Sequence, residues 1–340
     1  MSAPFLSVVV PVYNEPGLIG AAVKAISVAV QESPFAGQTE LVVVDDGSST
    51  ATVAAIDVLS APFPIHVLRQ ANLGRFMARH AGIEAATGDY VLLIDARVRI
   101  APDALVFIAS QLPAGRVIWN AHVDIDMSGN PFARFWNVLT EVGFREYFSN
   151  PRTVSFDQES FDRFPKGTTA FLAPRGLLLE AIANFTSLYD DPRHASDDTK
   201  LIRWMAGRER VWISPRFRCV YLPRDAFRPF LRHAYHRGTV FPDSFGPGTR
   251  FFPVVAAFYP LSAGSLALAL RNPKAASRIL VITPLAAGAI TLAVRRSIRD
   301  ALTLGALAPI FTVVYGAGMW RGLALLTRAR YSRAHAGRPR

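Results

Sequence analysis

Three acidic stretches and one basic cluster hold the residue types that can do chemistry. The first is "LVVVDDGSS" (41–49), with Asp45 and Asp46 just after an apolar run. Carboxylates in such a place can accept hydrogen bonds from a ribose hydroxyl or a base N–H, and Gly47 lets the backbone come close to a ligand. The same residues also make a plain Asp-Gly turn. The second is "YVLLIDARVRI" (90–100), with Asp95 and Arg97 two apart. Asp95 can ligate Mg²⁺ or Mn²⁺, which prefer oxygen donors. Arg97 cannot ligate a cation, but its planar fork suits phosphate oxygens. The third is "SDDTKL" (196–201), where Asp197 and Asp198 open a helical pattern. They can cap the helix, or one can act as general base and take a proton from an attacking hydroxyl. The basic cluster is "HAYHRG" (233–238); His233, His236 and Arg237 suit phosphate, or a basic face turned to a membrane. His194, close in sequence to the candidate base, reads as a surface residue.

These residues need elements to hold them. Apolar, β-branched runs at 6–13, 39–49, 64–70 and 88–95 read as buried strands. Helical spacing fills 18–33, 50–60 and 74–87 between them. Strands and helices alternating at this interval predict βαβ units and a mostly parallel α/β sheet. Ligands of such sheets sit beyond the carboxyl ends of the strands, where Asn14, Asp45, Asp46 and Asp95 fall. Residues 117–136 read as a strand, a Gly-Asn turn and an aromatic-rich helix. Residues 166–182 read as a short strand feeding a helix near Pro174, and 196–215 as a capped helix followed by a strand. No G-x-G-x-x-G follows the first strand, which argues against a dinucleotide-binding dehydrogenase.

Composition adds a second theme. The 340-residue chain is 51% hydrophobic and carries a net charge of +11. Its mean hydropathy, +0.23, is raised by the part beyond Phe251. Phe251–Leu270 and Ala301–Trp320 are charge-free for 20 residues each, and Ile279–Val294 for 16. A span needs about 20 apolar residues, so the first and third runs qualify and the second is marginal. Arg271, Lys274, Arg278, Arg295, Arg296 and Arg299 lie between the runs, and six Arg follow them. Three spans would put that tail opposite the first domain, against the positive-inside rule. Two spans plus one interfacial helix keep both on the cytoplasmic face. The third run is assigned to the interface because its end, "YGAGMWRGL", is Gly-rich with Trp and Arg. Residues 224–241, aromatic and basic at helical spacing, also read as interfacial. The expected order is therefore a catalytic domain (1–223), an amphipathic segment (224–250), membrane helices (251–320) and a basic tail (321–340), at a cytoplasmic inner membrane. The single cysteine, Cys219, excludes an internal disulfide and fits a reducing compartment. The N-terminus lacks a signal-peptide pattern. No nucleic-acid motif accompanies the basic charge.

Taken in order, "VVVPVYNE", "LVVVDDGSS", "GRFMARHAGIEAATGDYVLLIDARVRIAPDAL" and "DDTKLIRWMAGR" resemble the family 2 glycosyltransferases, inverting enzymes of GT-A fold, over about residues 5 to 240. The apolar runs look like those of membrane-bound members that build bacterial exopolysaccharides, glycolipids or cell-wall glycans. The resemblance implies a UDP-, GDP- or TDP-linked sugar donor and a lipid-linked or glycan acceptor. It implies that Pro11, Tyr13 and Glu15 line the nucleotide pocket, with Asp45 and Asp46 near the nucleoside. Arg75 then approaches the nucleotide sugar, and Asp95 is the first carboxylate of an Asp-x-Asp motif that holds Mg²⁺ or Mn²⁺. Asp198 matches the catalytic base, and Gly167 and Thr168 lie in the segment facing sugar and acceptor. Asp197, His236 and Arg237 are weaker candidates for acceptor or diphosphate.

The chain also departs from the pattern. Arg97 replaces the second Asp of Asp-x-Asp, so the cation is weakened or replaced by the arginine's charge. Lys200 stands where a further Asp is common, and "HAYHRG" occupies roughly the place of Gln-x-x-Arg-Trp. The competing expectation is a non-catalytic membrane protein of the same fold that binds a nucleotide sugar or scaffolds a polysaccharide complex.

Overall fold

The computed structural model describes residues 5–190, 197–294 and 296–336; His194 lies outside them. Strands β1 to β9 are Leu6–Val12, Thr39–Asp45, Ile65–Arg69, Tyr90–Ile94, Val98–Ile100, Ile118–Ile125, Val154–Phe156, Ala170–Pro174 and Val211–Tyr221. Helices α1 to α6 are Ile19–Gln31, Thr50–Asp57, Arg75–Ala85, Ala104–Gln111, Pro131–Gly143 and Arg145–Phe148. Helices α7 to α12 are Arg175–Ala183, Asp197–Ala206, Phe227–Ser244, Phe252–Arg271, Pro273–Ala293 and Ile298–Ala336. The residues group into two compact units. One contains Met1–Asp126, Glu146–Thr186 and Asp197–Pro223; the other contains Met127–Arg145, Ser187–Ser196 and Arg224–Arg340. Helix α5, expected inside the first domain, folds with the second unit.

The first unit is an α/β sheet of nine strands in the order β3-β2-β1-β4-β8-β6-β9-β5, with β7 beside β9. β1 to β4 run parallel, β8 opposes β4, and β6 and β9 return to the first direction. Alternation along each strand supplies two cores. Val8, Val10, Leu41, Val43, Leu92 and Ile94 face one side, with α1 and α4. Val9, Val42, Val44, Val91 and Leu93 face the other, with Ala78 and Ile83 of α3 and Ile202 of α8. Both faces are covered, so these strands read as continuous apolar runs rather than alternating ones. Helix α3 comes close to the sheet because residue 82 is glycine; a Cβ there would lie 2.3 Å from Val9 Cγ1.

Two short strands, β5 and β7, carry no sequence signal of their own. The strand expected to end by Pro215 continues to Tyr221. Its register against β6 jumps from Ala121↔Ser214 to His122↔Arg218, so Pro215 sits in a bulge, where a missing N–H costs no ladder bond.

The second unit is helical. Asn130 caps α5 by accepting from the N–H groups of Phe132 and Ala133, each at 3.0 Å. Phe135 and Val138 of α5 pack with Phe230 of α9 and Leu304 of α12. Helix α9, expected to lie at an interface, buries Ala234, Gly238, Thr239 and Val240. It meets α12 so closely that a Cβ on Gly238 would lie 2.1 Å from Tyr315 O. The sequence pattern registered its polar face and missed this small-residue face. Helix α10 is apolar yet exposed, with Val254, Leu261 and Leu266 more than half accessible. By length and hydropathy Phe252–Arg271 and Ile298–Arg333 could each cross a membrane, whereas the apolar stretch Val281–Ala293 is shorter. The third run, expected to be interfacial, is thus inside a helix of spanning length: its glycines do not interrupt the helix but serve close packing.

Candidate active site

Parallel β1, β2 and β4 bring their carboxyl ends side by side, and the candidate residues gather there in three groups. In the first, Asn14 sits at φ 55°, a left-handed conformation that Asn tolerates better than most residues. Its amide oxygen accepts from Ser49 N at 2.8 Å, and its own N–H donates to Ser48 Oγ at 3.1 Å. Asp45 Oδ1 accepts from Ser48 N at 2.9 Å. Asp46, nearly fully buried, accepts from Gln70 Nε2 at 2.7 Å, Leu73 N at 2.9 Å and Gly74 N at 3.0 Å. Gly47, at φ 73°, allows this approach: a Cβ would lie 2.7 Å from Asn72 N. Asp46, expected beside a nucleoside, therefore organises the 70–74 turn and so the start of α3, where Arg75 is exposed. Pro11 lies in β1 opposite Val44, and Tyr13 is largely exposed at its end.

The second group is Glu15 with Arg97. The Arg97 fork donates Nε to Glu15 Oε1 and Nη2 to Oε2, both at 2.7 Å, and Nη1 to Leu222 O at 3.0 Å. This is a bidentate, charge-assisted clamp between the end of β1 and the β4–β5 turn. It departs from the expectation that Arg97 reaches a diphosphate or stands in for a cation, because each of its three nitrogens donates to the protein. Glu15 is likewise engaged as a clamp partner.

The third group contains the candidate base. Asp95 follows β4 directly, and its N–H donates to Thr169 O at 3.0 Å, which ties it to the segment entering β8. Gly167 N donates to Asn120 Oδ1 at 3.0 Å, and a Cβ on Gly167 would come within 3.9 Å of Asp198 Oδ2. Thr168 Oγ1 is buried with no hydrogen-bond partner. Asp198 stands in the first turn of α8; Asp197 opens that helix, and its side chain lies outside the described residues. Between Asp95 and Asp198 lies Arg79, from the second turn of α3. Its Nη2 donates to Asp95 Oδ1 at 2.8 Å and its Nη1 to Asp198 Oδ1 at 3.2 Å. The Arg79 side chain is 4% exposed, against 19% and 23% for the two carboxylates. Sequence reasoning missed Arg79. The available signal was a charged residue on the otherwise buried face of α3, one turn after Arg75.

Beside this group, Lys166 is pushed down to about 7, mainly by burial and further by Arg203, against the opposing pull of Asp162. Burial, together with Asp124 and Asp95, pushes the Cys219 thiol up, away from nucleophilic use. His236, half-buried, and Arg237, exposed, belong to α9 in the second unit.

The donor set does not fit a divalent ion held by the protein. Among the described residues no three His, Cys, Asp or Glu side chains come together as a metal group. The two nearest carboxylates share one guanidinium, and the second Asp-x-Asp position is an arginine already clamped.

A sheet of this order, with acidic residues at the ends of β2 and β4 and an acidic helix start beside them, is the GT-A arrangement. Two solved structures share the fold. A mannosyltransferase from Pyrobaculum calidifontis, in complex with GDP-Man and Mn²⁺, aligns over 99% of this chain and 88% of its own at TM-score 0.50 and 21% identity. Residues 1–349 of S. aureus TarS, in complex with UDP-GlcNAc, align over 96% and 92% at TM-score 0.52 and 15% identity. Residues 7–161 match the family model Glycosyl transferase family 2, and this part of the chain is a family 2 glycosyltransferase domain. Curated relatives agree. An undecaprenyl-phosphate 4-deoxy-4-formamido-L-arabinose transferase of Pseudomonas fluorescens is 29% identical over 114 residues, 32% of this chain and 33% of its own. A bactoprenol glucosyl transferase of Shigella phage SfV is 30% identical over 112 residues, 32% of this chain and 36% of its own. The chain spans about a third of the length of these relatives.

Proposed function

We propose that this protein transfers a sugar, with inversion, from a nucleotide-sugar donor to a lipid-linked acceptor at the cytoplasmic face of a bacterial inner membrane. One observation carries the reading. Asp198 stands at a helix start, about a quarter open to solvent, against the Gly167–Thr168 segment and beside the end of β4. In that place it can deprotonate an acceptor hydroxyl. The oxygen then attacks the anomeric carbon from the face opposite the diphosphate, through an oxocarbenium-like transition state. The C–O bond to phosphate breaks as the new C–O bond forms, and the nucleoside diphosphate leaves with the electron pair. The donor's nucleotide lies along the ends of β1 and β2, near Pro11, Tyr13, Asp45 and the Arg75 side chain. No step in this account runs through a protein-held metal ion.

The second unit supports a lipid-linked acceptor. Spans at α10 and α12, with α11 lying at the interface, return the basic tail to the side of the catalytic unit, as the positive-inside rule requires. An enzyme held there meets polyprenyl-linked acceptors in two dimensions. The names of the curated relatives, which act on undecaprenyl phosphate or bactoprenol, support the same class.

The test is turnover. The protein in detergent, given UDP-, GDP- and TDP-sugars with a polyprenyl-linked saccharide whose free hydroxyl is the acceptor, should release nucleoside diphosphate from one donor family. Asp198→Asn should keep donor protection against thermal unfolding and lose roughly 10²–10⁴-fold in rate, the usual worth of a general base. Near-normal turnover by Asp198→Asn would refute the base. Donor protection with no transfer to any acceptor by the unaltered protein would favour a non-catalytic binder.

A further inference from the structure

We propose that Arg79 takes the structural place of a resident divalent cation, so that the protein binds its nucleotide donor without a metal ion of its own. The inference rests on the glycosyltransferase reading above and goes beyond it. Three observations converge. Arg79 is buried, and its two terminal nitrogens reach Asp95 Oδ1 and Asp198 Oδ1, the oxygens through which a bridging ion would hold the same pair. An ion bound at oxygen–metal distances of about 2.0–2.2 Å would lie against that guanidinium and be repelled by it. The position that would strengthen the ion's site is Arg97, three of whose N–H groups donate to Glu15 and Leu222. Finally, the described residues offer no cluster of three metal-ligating side chains elsewhere.

The consequence is electrostatic. Two carboxylates that share one guanidinium repel each other. The guanidinium between them offsets that repulsion and fixes Asp198 relative to the end of β4. Arg79 is thus a positioning residue, and the positive charge at the site is covalently part of α3. Unlike a metal ion, it does not leave with the nucleoside diphosphate.

Mn²⁺ binding separates this from a merely structural role. Electron paramagnetic resonance of Mn²⁺ titrated into the unaltered full-length protein, without nucleotide, should show free ion only. The same titration of Arg79→Gln should show a new site, with affinity raised roughly tenfold or more, the scale on which neighbours tune metal sites. Turnover of the unaltered protein should survive EDTA. Arg79→Lys should keep the unaltered behaviour, and it decides the matter if Arg79→Gln fails to fold. A Mn²⁺ site in the unaltered protein that vanishes in Asp95→Asn overturns the proposal. So does EDTA-abolished turnover restored by Mn²⁺, or a folded Arg79→Gln that gains no site. Donor protection against thermal unfolding is measured in parallel. Its loss counts against the glycosyltransferase reading, while the nucleotide-free titration still decides the role of Arg79.

Discussion

At the scale of single residues, the types found at the site were legible in the sequence, but several partners were not. Asp95 and Asp198 stand at the ends of the elements that predicted them. The fork of Arg97 could not be assigned from spacing, because Glu15 lies 82 positions away and only the β1–β4 pairing brings them together. Arg79 was hidden for a related reason: a buried arginine looks like any helix-face charge until its carboxylates are placed. Two predictions belong here. Arg97→Ala removes a largely buried ion pair and should cost about 2–4 kcal/mol, measured as a lower denaturation midpoint, because Glu15 then loses its guanidinium. Lys166 gives a pH signature. Its folded pKa, about 7, lies below the ordinary lysine value of 10.5. Between those values the unfolded chain holds a proton that the folded protein has released, so stability should rise as pH goes from about 7 toward 10. Lys166→Met should be more stable than the unaltered protein near pH 7 and lose that rise. Asp162 keeps its 2.7 Å ion pair with Arg203 in that variant.

At the scale of elements, the strands buried on both faces announced themselves through continuous Val and Leu runs, and so did the βαβ order. The short edge pieces β5 and β7 did not, because three residues hold no periodicity and exist through pairing with β9. Pro215 misled for a physical reason: a proline ends a regular strand but not a bulged one. The apolar runs were legible as helices, yet their packing was not. Glycines read as a sign of an interfacial end in "YGAGMWRGL" are close-contact positions of α12. A Cβ on Gly318 would lie 2.2 Å from Tyr235 O, a backbone atom that cannot rotate away. Gly318→Val should therefore separate α9 from α12 and cost about 3 kcal/mol, read as a lower unfolding temperature in detergent. An ordinary exposed helix position would lose a few tenths.

At the scale of the whole molecule, the chain holds an α/β sheet unit and a helical unit whose helix α10 exposes Val254, Leu261 and Leu266. Helix α12 is long and apolar enough to cross a membrane from Ile298 to Arg333, 36 residues or about 54 Å at 1.5 Å per residue. That exceeds the roughly 30 Å hydrocarbon core, so in a bilayer its Arg-bearing end would reach the headgroup region, where anionic lipid favours it. A water-soluble acceptor would need none of this. The account's central claim is a single in-line displacement with Asp198 as base, and the anomeric configuration of the product tests it most directly. Nuclear magnetic resonance of the glycosylated lipid should show the anomer opposite to that of the nucleotide-sugar donor. A product that retains the donor's configuration would contradict the account.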